Sequence, residues 1–184
     1  FFGKKKYSII IPGGMAFGTG RHESTQLAIR GIEFILKKNK INNCFDLGSG
    51  SGILSFAVRL ITKKKVISCD CDKFSEDNYN SNMKLNNLNG LFFLKCNGFR
   101  HRILKKKRFD LIVANILLNP LKSLARDINK HLTSKGFVII SGILNNQKNE
   151  IINNYYKNKL KLVKKNTLGD WSSLIFQKFR KAYE

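Results

Sequence analysis

The chain has 184 residues and a mass of 21.1 kDa, which fits one domain whose core needs neither disulfides nor a structural metal. Its 42% apolar and 25% charged residues are typical of a globular protein. No apolar run approaches the roughly 18 to 20 residues of a membrane span, and the N-terminal stretch has too short an apolar segment for a signal peptide. A membrane protein, a collagen-like chain and a secreted mini-protein are excluded, and residues 1–184 are predicted to form a single domain.

The formal net charge of +22, with a pI near 10.1, has two interpretations that the sequence leaves open. An anionic partner such as RNA or a ribonucleoprotein would explain it. Compositional drift would also explain it, because Lys, Asn and Ile are all enriched, all have A/T-rich codons, and the lysines are spread along the chain in short runs. Under either interpretation, a charge of this size favours non-specific contact with RNA at low salt.

In chain order, segments of helical period alternate with short β-like runs, which indicates an α/β domain with a largely parallel sheet. The predicted helices cover residues 25–38, 53–61, 74–88, 120–132 and 145–156. The predicted strands cover residues 43–47, 65–70, 91–96, 109–115, 136–141, 160–167 and 172–178. Gly169 and Asp170 leave no room for a crossover helix, so the last two strands should form an antiparallel hairpin. The expected fold is a three-layer, Rossmann-like α/β fold with a seven-stranded, mostly parallel sheet.

Four cysteines stand at positions 44, 69, 71 and 96, without a CxxC pair or paired histidine spacing. Each lies in or beside an apolar run, so we expect small buried thiols and no metal site. The absence of a disulfide framework in the sequence predicts a reducing compartment and a cytoplasmic location.

The strongest local signal is residues 45–54, FDLGSGSGIL, in which a predicted strand runs into a glycine-rich turn that opens a helix. Glycines let the backbone approach a ligand closely, and the helix start offers unpaired N–H groups to an anionic or polar ligand. A dinucleotide-binding GxGxxG pattern would need glycine where Ile53 stands. The spacing of Gly48, Gly50 and Gly52 instead suits S-adenosylmethionine, whose carboxylate and amino group would lie where a pyrophosphate otherwise does.

A second feature agrees with a nucleoside-containing cofactor. Asp70 follows Gly48 by 22 residues and ends the next predicted strand. A carboxylate there can accept hydrogen bonds from both ribose hydroxyls. The alternative for Asp70 is a solvated turn residue, and Asp72 is predicted to cap the following helix.

The sequence from about Pro12 to the C-terminus resembles the ribosomal protein L11 methyltransferases (PrmA), class I enzymes that use S-adenosylmethionine. The match rests on a set of motifs in a fixed order, which is far more specific than a single glycine motif. These motifs are PGGMAFGTG at 12–20 with His22 and Thr25, DLGSGSGIL at 46–54, Asp70 with Asp72, VANIL at 113–117 with Pro120 and Leu121, SGIL at 141–144, and Asp170 with Trp171.

The resemblance implies the seven-stranded methyltransferase sheet and a set of cofactor contacts. Thr25, with a loop made of Phe17, Gly18 and Thr19, would form a lid over the methionine end of S-adenosylmethionine. Gly48 and Gly50 would approach the cofactor backbone while Asp70 holds its ribose. Asn115 would bind the cofactor and act as the catalytic residue, facing the methyl group and the incoming amine. Two positions depart from the family, which usually has threonine where this chain has Arg21 and Ser24.

The resemblance also implies the reaction, which is methylation of lysine side chains and the N-terminal amine of ribosomal protein L11. Members of the family carry an additional N-terminal recognition domain, whereas this sequence starts almost directly at the catalytic domain. It is therefore expected to be either a fragment or a lineage without that domain.

Two other functions stay open on the residues alone. The charge would suit an RNA methyltransferase, but residues 115–118, NILL, lack the Pro-Pro-aromatic segment that such enzymes often carry after strand four. A basic ribosome- or RNA-binding module with a non-functional catalytic site is the third hypothesis. His22 is predicted to be structural, His101 and His131 to lie on the surface, and Trp171 to wall the acceptor pocket or to pack in the core.

Overall fold

The computed structural model describes residues 7–12 and 20–179, which form a seven-stranded sheet flanked by five helices. The sheet order is β3-β2-β1-β4-β5-β7-β6, and only β7 runs against the others. The strands are β1 (Cys44–Leu47), β2 (Val66–Asp70), β3 (Leu91–Lys95), β4 (Phe109–Asn115), β5 (Leu132–Leu144), β6 (Leu160–Leu168) and β7 (Trp171–Lys178). The helices are α1 (Glu23–Lys38), α2 (Ile53–Thr62), α3 (Ser75–Leu85), α4 (Leu118–His131) and α5 (Lys148–Lys157).

The three-layer prediction is confirmed by two apolar cores, one on each face of the sheet. Helices α1, α2 and α3 bury one face through residues such as Ile32, Phe56 and Tyr79. Helices α4 and α5 bury the other through residues such as Leu121 and Tyr155. Strands buried on both faces read as continuous apolar runs, which is why the central strands were predictable from the sequence.

The strand order reverses between β1 and β4, the two strands at the centre of the sheet. Leu47 of β1 lies beside Cys69 of β2 on one side and beside Ala114 of β4 on the other. In open parallel sheets a crevice forms outside the carboxyl ends of the strands at such a reversal, because the connecting loops diverge there. The glycine turn after β1 and the residues after β4 therefore lie on the two sides of one opening.

The predicted hairpin is confirmed, since Gly169 and Asp170 alone separate β6 from its antiparallel partner β7. Strand β5 is longer than predicted, because Leu132 already pairs with Phe109 ahead of a bulge. Among the described residues, no helix is both long and apolar enough to cross a bilayer.

Three local predictions were wrong. His131 is buried, because it continues the apolar face of α4; its ring stacks on Phe99 with centroids 4.2 Å apart, and burial lowers its pKa. Cys71 is exposed, since it lies just past the end of β2. Asp72 precedes α3 by three residues and is not its N-cap, although its carboxylate accepts a hydrogen bond from the N–H of Phe74 at 3.1 Å.

Candidate active site

A cavity of about 690 Å³ opens at the carboxyl ends of the parallel strands, at the reversal point between β1 and β4. It brings together residues that are up to 147 positions apart in the sequence, from the start of α1 to the start of β7. The described residues that line it are Ser24, Gly48, Ser49, Gly50, Ile53, Leu54, Asp70, Asp72, Phe74, Ser75, Asp77, Asn78, Asn115, Ile116, Leu117, Gly142 and Trp171.

The glycine turn and the β2 acid, which the sequence predicts to act together, are in direct contact. The N–H of Gly50 donates to Oδ2 of Asp70 at 2.8 Å. The N–H groups of Gly48 and Ser49 donate to the carbonyl of Cys69 at 2.8 and 3.0 Å. The turn is therefore fixed to the end of β2 by three hydrogen bonds, and the Asp70 carboxylate lines the same cavity as the glycines.

Gly48 is required for a steric reason that the motif alone did not reveal. Its φ of +75° is favourable for glycine, and a Cβ there would lie 2.3 Å from Cγ2 of Ile116. The absence of a side chain lets the residues after β4 approach the turn after β1. Gly48 thus sets the width of the opening between these two loops.

The Asp70 carboxylate is held in place without being covered. Besides the Gly50 contact, its Oδ1 accepts a hydrogen bond from the N–H of Asp72 at 3.0 Å. Phe74 follows on the same loop, lines the cavity, and leaves 63% of its surface exposed at the rim. This side of the cavity combines a fixed carboxylate with an exposed aromatic ring.

Asn115 lies across the cavity, at the last position of β4. Its Nδ2 donates to Oγ1 of Thr25 at 3.2 Å, which fixes the plane of the amide. Its Oδ1 is buried beside Gly142 and has no hydrogen-bond partner within the described part of the chain. An unsatisfied buried acceptor costs about 1 to 3 kcal/mol, so this amide is positioned at an energetic cost.

Thr25 lies behind Asn115 and is fully buried, while its neighbour Ser24 lines the cavity. The hydroxyl of Ser141 donates to the carbonyl of Ser24 at 2.7 Å and fixes the start of α1 to β5. A direct contact of Thr25 with a cofactor stays a prediction. Of the other residues that the resemblance assigns to the cofactor, Phe17, Gly18 and Thr19 lie outside the described residues.

His22 and Trp171 form one unit beside the cavity. His22 is the N-cap of α1, its Nδ1 accepting a hydrogen bond from the N–H of Ser24 at 3.3 Å. Its ring meets that of Trp171 edge to face, with centroids 4.6 Å apart. This arrangement agrees with the structural role predicted for His22, and it directs Trp171 to the cavity wall.

Asp46 is a buried acid beneath the glycine turn, and its residue type alone did not predict a role for it. Its Oδ2 accepts hydrogen bonds from the N–H and hydroxyl of Ser55, and the chain of contacts continues through Ser68 to the hydroxyl of Tyr79. Burial raises the pKa of Asp46 from 3.8 to about 7, although the Ser55 hydrogen bonds act against this shift. The sequence signal that could have identified Asp46 as part of the site is its position two residues before Gly48, the first glycine of the turn.

Unpaired polar atoms concentrate around this cavity. Of the five buried side-chain oxygens without a hydrogen-bond partner in the described ranges, Ser49 Oγ and Asn115 Oδ1 belong to cavity-lining residues, and Asp46 Oδ1 lies behind the glycine turn. Buried polar groups are normally paired, so this cluster indicates a site that a polar ligand completes. Within residues 7–12 and 20–179, no group of three or more His, Cys, Asp or Glu side chains is placed to hold a metal ion.

Comparison with known proteins agrees with this geometry. A family model described as "Ribosomal protein L11 methyltransferase (PrmA)" matches residues 3–179. A Prochlorococcus marinus (strain MIT 9312) protein named ribosomal protein L11 methyltransferase is 44% identical over 177 residues, covering 94% of this chain and 57% of that protein. The protein of the same name from Agrobacterium fabrum is 36% identical, covering 93% of this chain and 59% of its own length. The chain thus spans less than two thirds of the curated relatives it matches.

Solved structures give the same result. The crystal structure of ribosomal protein L11 methylase from Lactobacillus delbrueckii subsp. bulgaricus has a TM-score of 0.82 at 31% identity, covering 92% of this chain and 84% of that one. The N-methyltransferase NodS from Bradyrhizobium japonicum, solved with S-adenosyl-l-homocysteine, has a TM-score of 0.68 at 12% identity, covering 86% and 89% of the two chains. The second similarity shows a shared fold alone.

Proposed function

Because the chain belongs to the ribosomal protein L11 methyltransferase (PrmA) family, we propose that it transfers methyl groups from S-adenosylmethionine to amino groups of ribosomal protein L11. The acceptors are lysine side chains and the N-terminal amine. The observation that carries the proposal is the cavity in which the glycine turn, the Asp70 carboxylate and the Asn115 amide face one opening. We further propose that the enzyme acts in the cytoplasm, as the unpaired thiols suggest.

The residues around the cavity fit S-adenosylmethionine, which supplies an electrophilic methyl group on a sulfonium when bound. The Asp70 carboxylate has lone pairs left after its two backbone contacts and accepts the ribose hydroxyls. The exposed ring of Phe74 offers an apolar face to the base. The unpaired hydroxyl of Ser49 hydrogen-bonds to the polar end of the ligand, and the unpaired Asn115 oxygen is left for the acceptor.

The acceptor amine must be neutral before it can react. A lysine with a pKa near 10.4 is neutral at pH 7 on the order of 0.05% of the time, a handicap of about 4 to 5 kcal/mol. The apolar side chains of Ile116, Leu117 and Trp171 desolvate the amine and lower its pKa. The Asn115 oxygen then orients the lone pair by accepting an N–H without adding charge, and alignment of the reactants lowers the barrier by roughly 7 to 11 kcal/mol.

RNA is the competing substrate class. The residues after β4 include Leu117, which is 73% exposed, where a base-modifying enzyme would place a stacking ring. An aliphatic wall suits a lysine stem better than a planar base. The amine is therefore the preferred acceptor.

The test is incubation of the chain with radiolabelled S-adenosylmethionine and either purified L11 or protein-free ribosomal RNA. We expect label in L11 alone, at lysines and the N-terminus by mass spectrometry. Label in RNA, with L11 unlabelled, would overturn the proposal. Asn115→Ala is the matched variant, and we expect turnover to fall at least 100-fold while cofactor affinity, measured by calorimetry, changes less than 5-fold.

A further inference from the structure

The charge of this chain is strongly polarised along the sheet axis. Strands β1 to β6 run in the same direction, so the segments that enter them share one end of the molecule. Counted with the last one or two residues of the helices before them and the first four residues of β5, these entering segments carry fifteen Lys and Arg and no Asp or Glu; they are residues 37–43, 63–65, 84–90, 105–108, 130–135 and 157–159. The segments that leave the strands beside the cavity carry one Lys and two Asp; they are residues 48–52, 71–74, 96–98, 116–117, 145–147 and 169–170.

Neither drift nor helix capping accounts for this asymmetry. Codon drift would place lysines in the exposed loops of both ends alike. Basic residues do favour helix C-termini, and all five helices end at the basic end. A helix C-terminus carries only about half a negative charge, so five of them offset roughly two or three of the fifteen positive charges.

A cleft of about 280 Å³ lies within the basic end, between the C-terminal ends of α2 and α3. Arg59 near the end of α2 and Lys63 just after it line one side of the cleft, and the asparagines at 86, 87 and 89, which follow α3, line the other. The Arg59 guanidinium is fixed by hydrogen bonds to the carbonyl and the side-chain oxygen of Asn89 at 2.6 and 2.8 Å. The cleft therefore presents positive charge and amide hydrogen-bonding groups from a rigid frame.

Two exposed aromatic rings flank the Lys63–Lys65 run beside this cleft. Tyr7 is 41% exposed, with Nζ of Lys63 located 5.4 Å from its ring centre. Phe92, on the edge strand β3, is 48% exposed, with Nζ of Lys65 at 5.8 Å. Exposed rings beside lysines are the combination with which proteins stack bases and neutralise phosphates of single-stranded RNA.

We propose that this surface, made of the cleft, the Lys63–Lys65 run, Tyr7 and Phe92, binds single-stranded RNA. The lysines neutralise phosphates and the two rings stack bases. The Asn86 amide is bonded to the backbone of Ile10 and Asn82, so base edges are left to the side chain of Asn87 and the Nδ2 of Asn89. The site lies at the opposite end of the sheet from the methyl-transfer cavity, so RNA and a protein substrate can be bound together. The proposal does not depend on the proposed methyltransferase activity.

The experiment measures binding of a fluorescein-labelled 12-nucleotide uridine RNA by anisotropy between 50 and 300 mM salt. The first variant replaces Lys63, Lys64 and Lys65 with Gln; its matched control replaces three lysines at the cavity end, Lys73, Lys95 and Lys148, with Gln. We expect the first variant to bind at least 10-fold more weakly at 100 mM salt. The slope of its log affinity against log salt concentration should be smaller by about two, because three phosphate-neutralising charges are lost. The control should change affinity less than 3-fold.

Stacking is tested separately by Phe92→Ala, which leaves the charge unchanged. We expect about a 10-fold loss of RNA affinity, and Phe92→Tyr should retain binding. Equal losses in the two triple-lysine variants, no effect of Phe92→Ala, or equal competition by polyglutamate would each overturn the proposal. The melting temperature followed by circular dichroism serves as the fold control and should be the same in all variants, so a failure here is distinguishable from a failure of the proposed function.

Discussion

Two aspartates at opposite ends of the sheet are held in the same way and differ in what they are left free to do. Asp70 is the last residue of β2, and its carboxylate accepts hydrogen bonds from the N–H groups of Gly50 and Asp72. Asp110, near the start of β4, accepts the N–H groups of Asn42 and Asn43 at 3.0 and 3.1 Å.

The difference is in their surroundings. Asp110 is also bonded to the hydroxyl of Thr133 at 3.2 Å and joins three segments of the chain. Asp70 instead faces the cavity. Backbone anchoring alone therefore does not identify a functional carboxylate. The diverging loops at the reversal point make Asp70 part of the cavity lining, whereas the carboxylate of Asp110 joins the segment before β1 to β4 and β5.

The largest expected effect concerns Asp46, the buried acid at the cavity end. Its pKa is about 7 in the folded chain against 3.8 ordinarily, so it is protonated when folded and ionised when unfolded between these values. The unfolded state then binds fewer protons, and the free energy of unfolding falls as pH rises from about 4 to about 7, by about 4 kcal/mol in total.

Chemical denaturation at pH 4, 5.5, 7 and 8 measures this loss. Asp46→Asn keeps the shape of the side chain and an acceptor for Ser55 but does not titrate. The difference in the free energy of unfolding between wild type and variant should therefore change by about 4 kcal/mol from pH 4 to pH 7. A constant difference would show that Asp46 is ionised in the fold.

The next effect separates the two anchored aspartates. Asp70→Ala removes the carboxylate that we propose accepts the ribose hydroxyls, and we expect S-adenosylmethionine affinity to fall about 100-fold by calorimetry. The free energy of unfolding should change little, because the freed N–H groups can be hydrated from the cavity. Asp110→Ala should give the reverse, a loss of about 1 kcal/mol of stability with cofactor affinity retained, because its carboxylate joins three segments of the chain through hydrogen bonds. Similar behaviour of both variants would remove the distinction drawn here.

The smallest effect decides the role of Thr25. If its hydroxyl serves only to position Asn115, Thr25→Val should lower kcat about 10-fold while cofactor affinity changes less than 3-fold. Thr25→Ser keeps the hydroxyl and should restore kcat. A parallel loss of cofactor affinity in Thr25→Val would instead support the direct contact that the family resemblance implies.

Most of the fold was predictable because its signals are local and mutually consistent. The central strands are continuous apolar runs, and the GSGSG turn between a strand and a helix identified the cavity before any geometry was known. His131 illustrates a missed but readable signal, since it lies three residues after Ile128 on the buried face of α4. The prediction of a surface position relied on the polarity of histidine and not on its place in the helical repeat.

Other features of the site depend on distances that no local pattern encodes. The contact between Asn115 and Thr25 spans 90 positions, and the exposed position of Phe74 depends on how the loop after β2 turns. The unpaired oxygens of Ser49 and Asn115 are equally invisible in the sequence, because an absent hydrogen bond has no signature among residue types. The polarity of the basic residues becomes visible only when the strand directions are known.

The insertion of β7 between β5 and β6 constrains the order in which the chain can assemble. Within residues 7–12 and 20–179, strand β6 pairs with β7 alone, so it has no neighbour in the sheet until the hairpin is made. Trp171, which lines the cavity, is the first residue of that same late strand. The cavity wall is therefore complete only once β7 has joined the sheet, and a chain in which β7 has not yet joined exposes the unpaired edge of β5 to its neighbours.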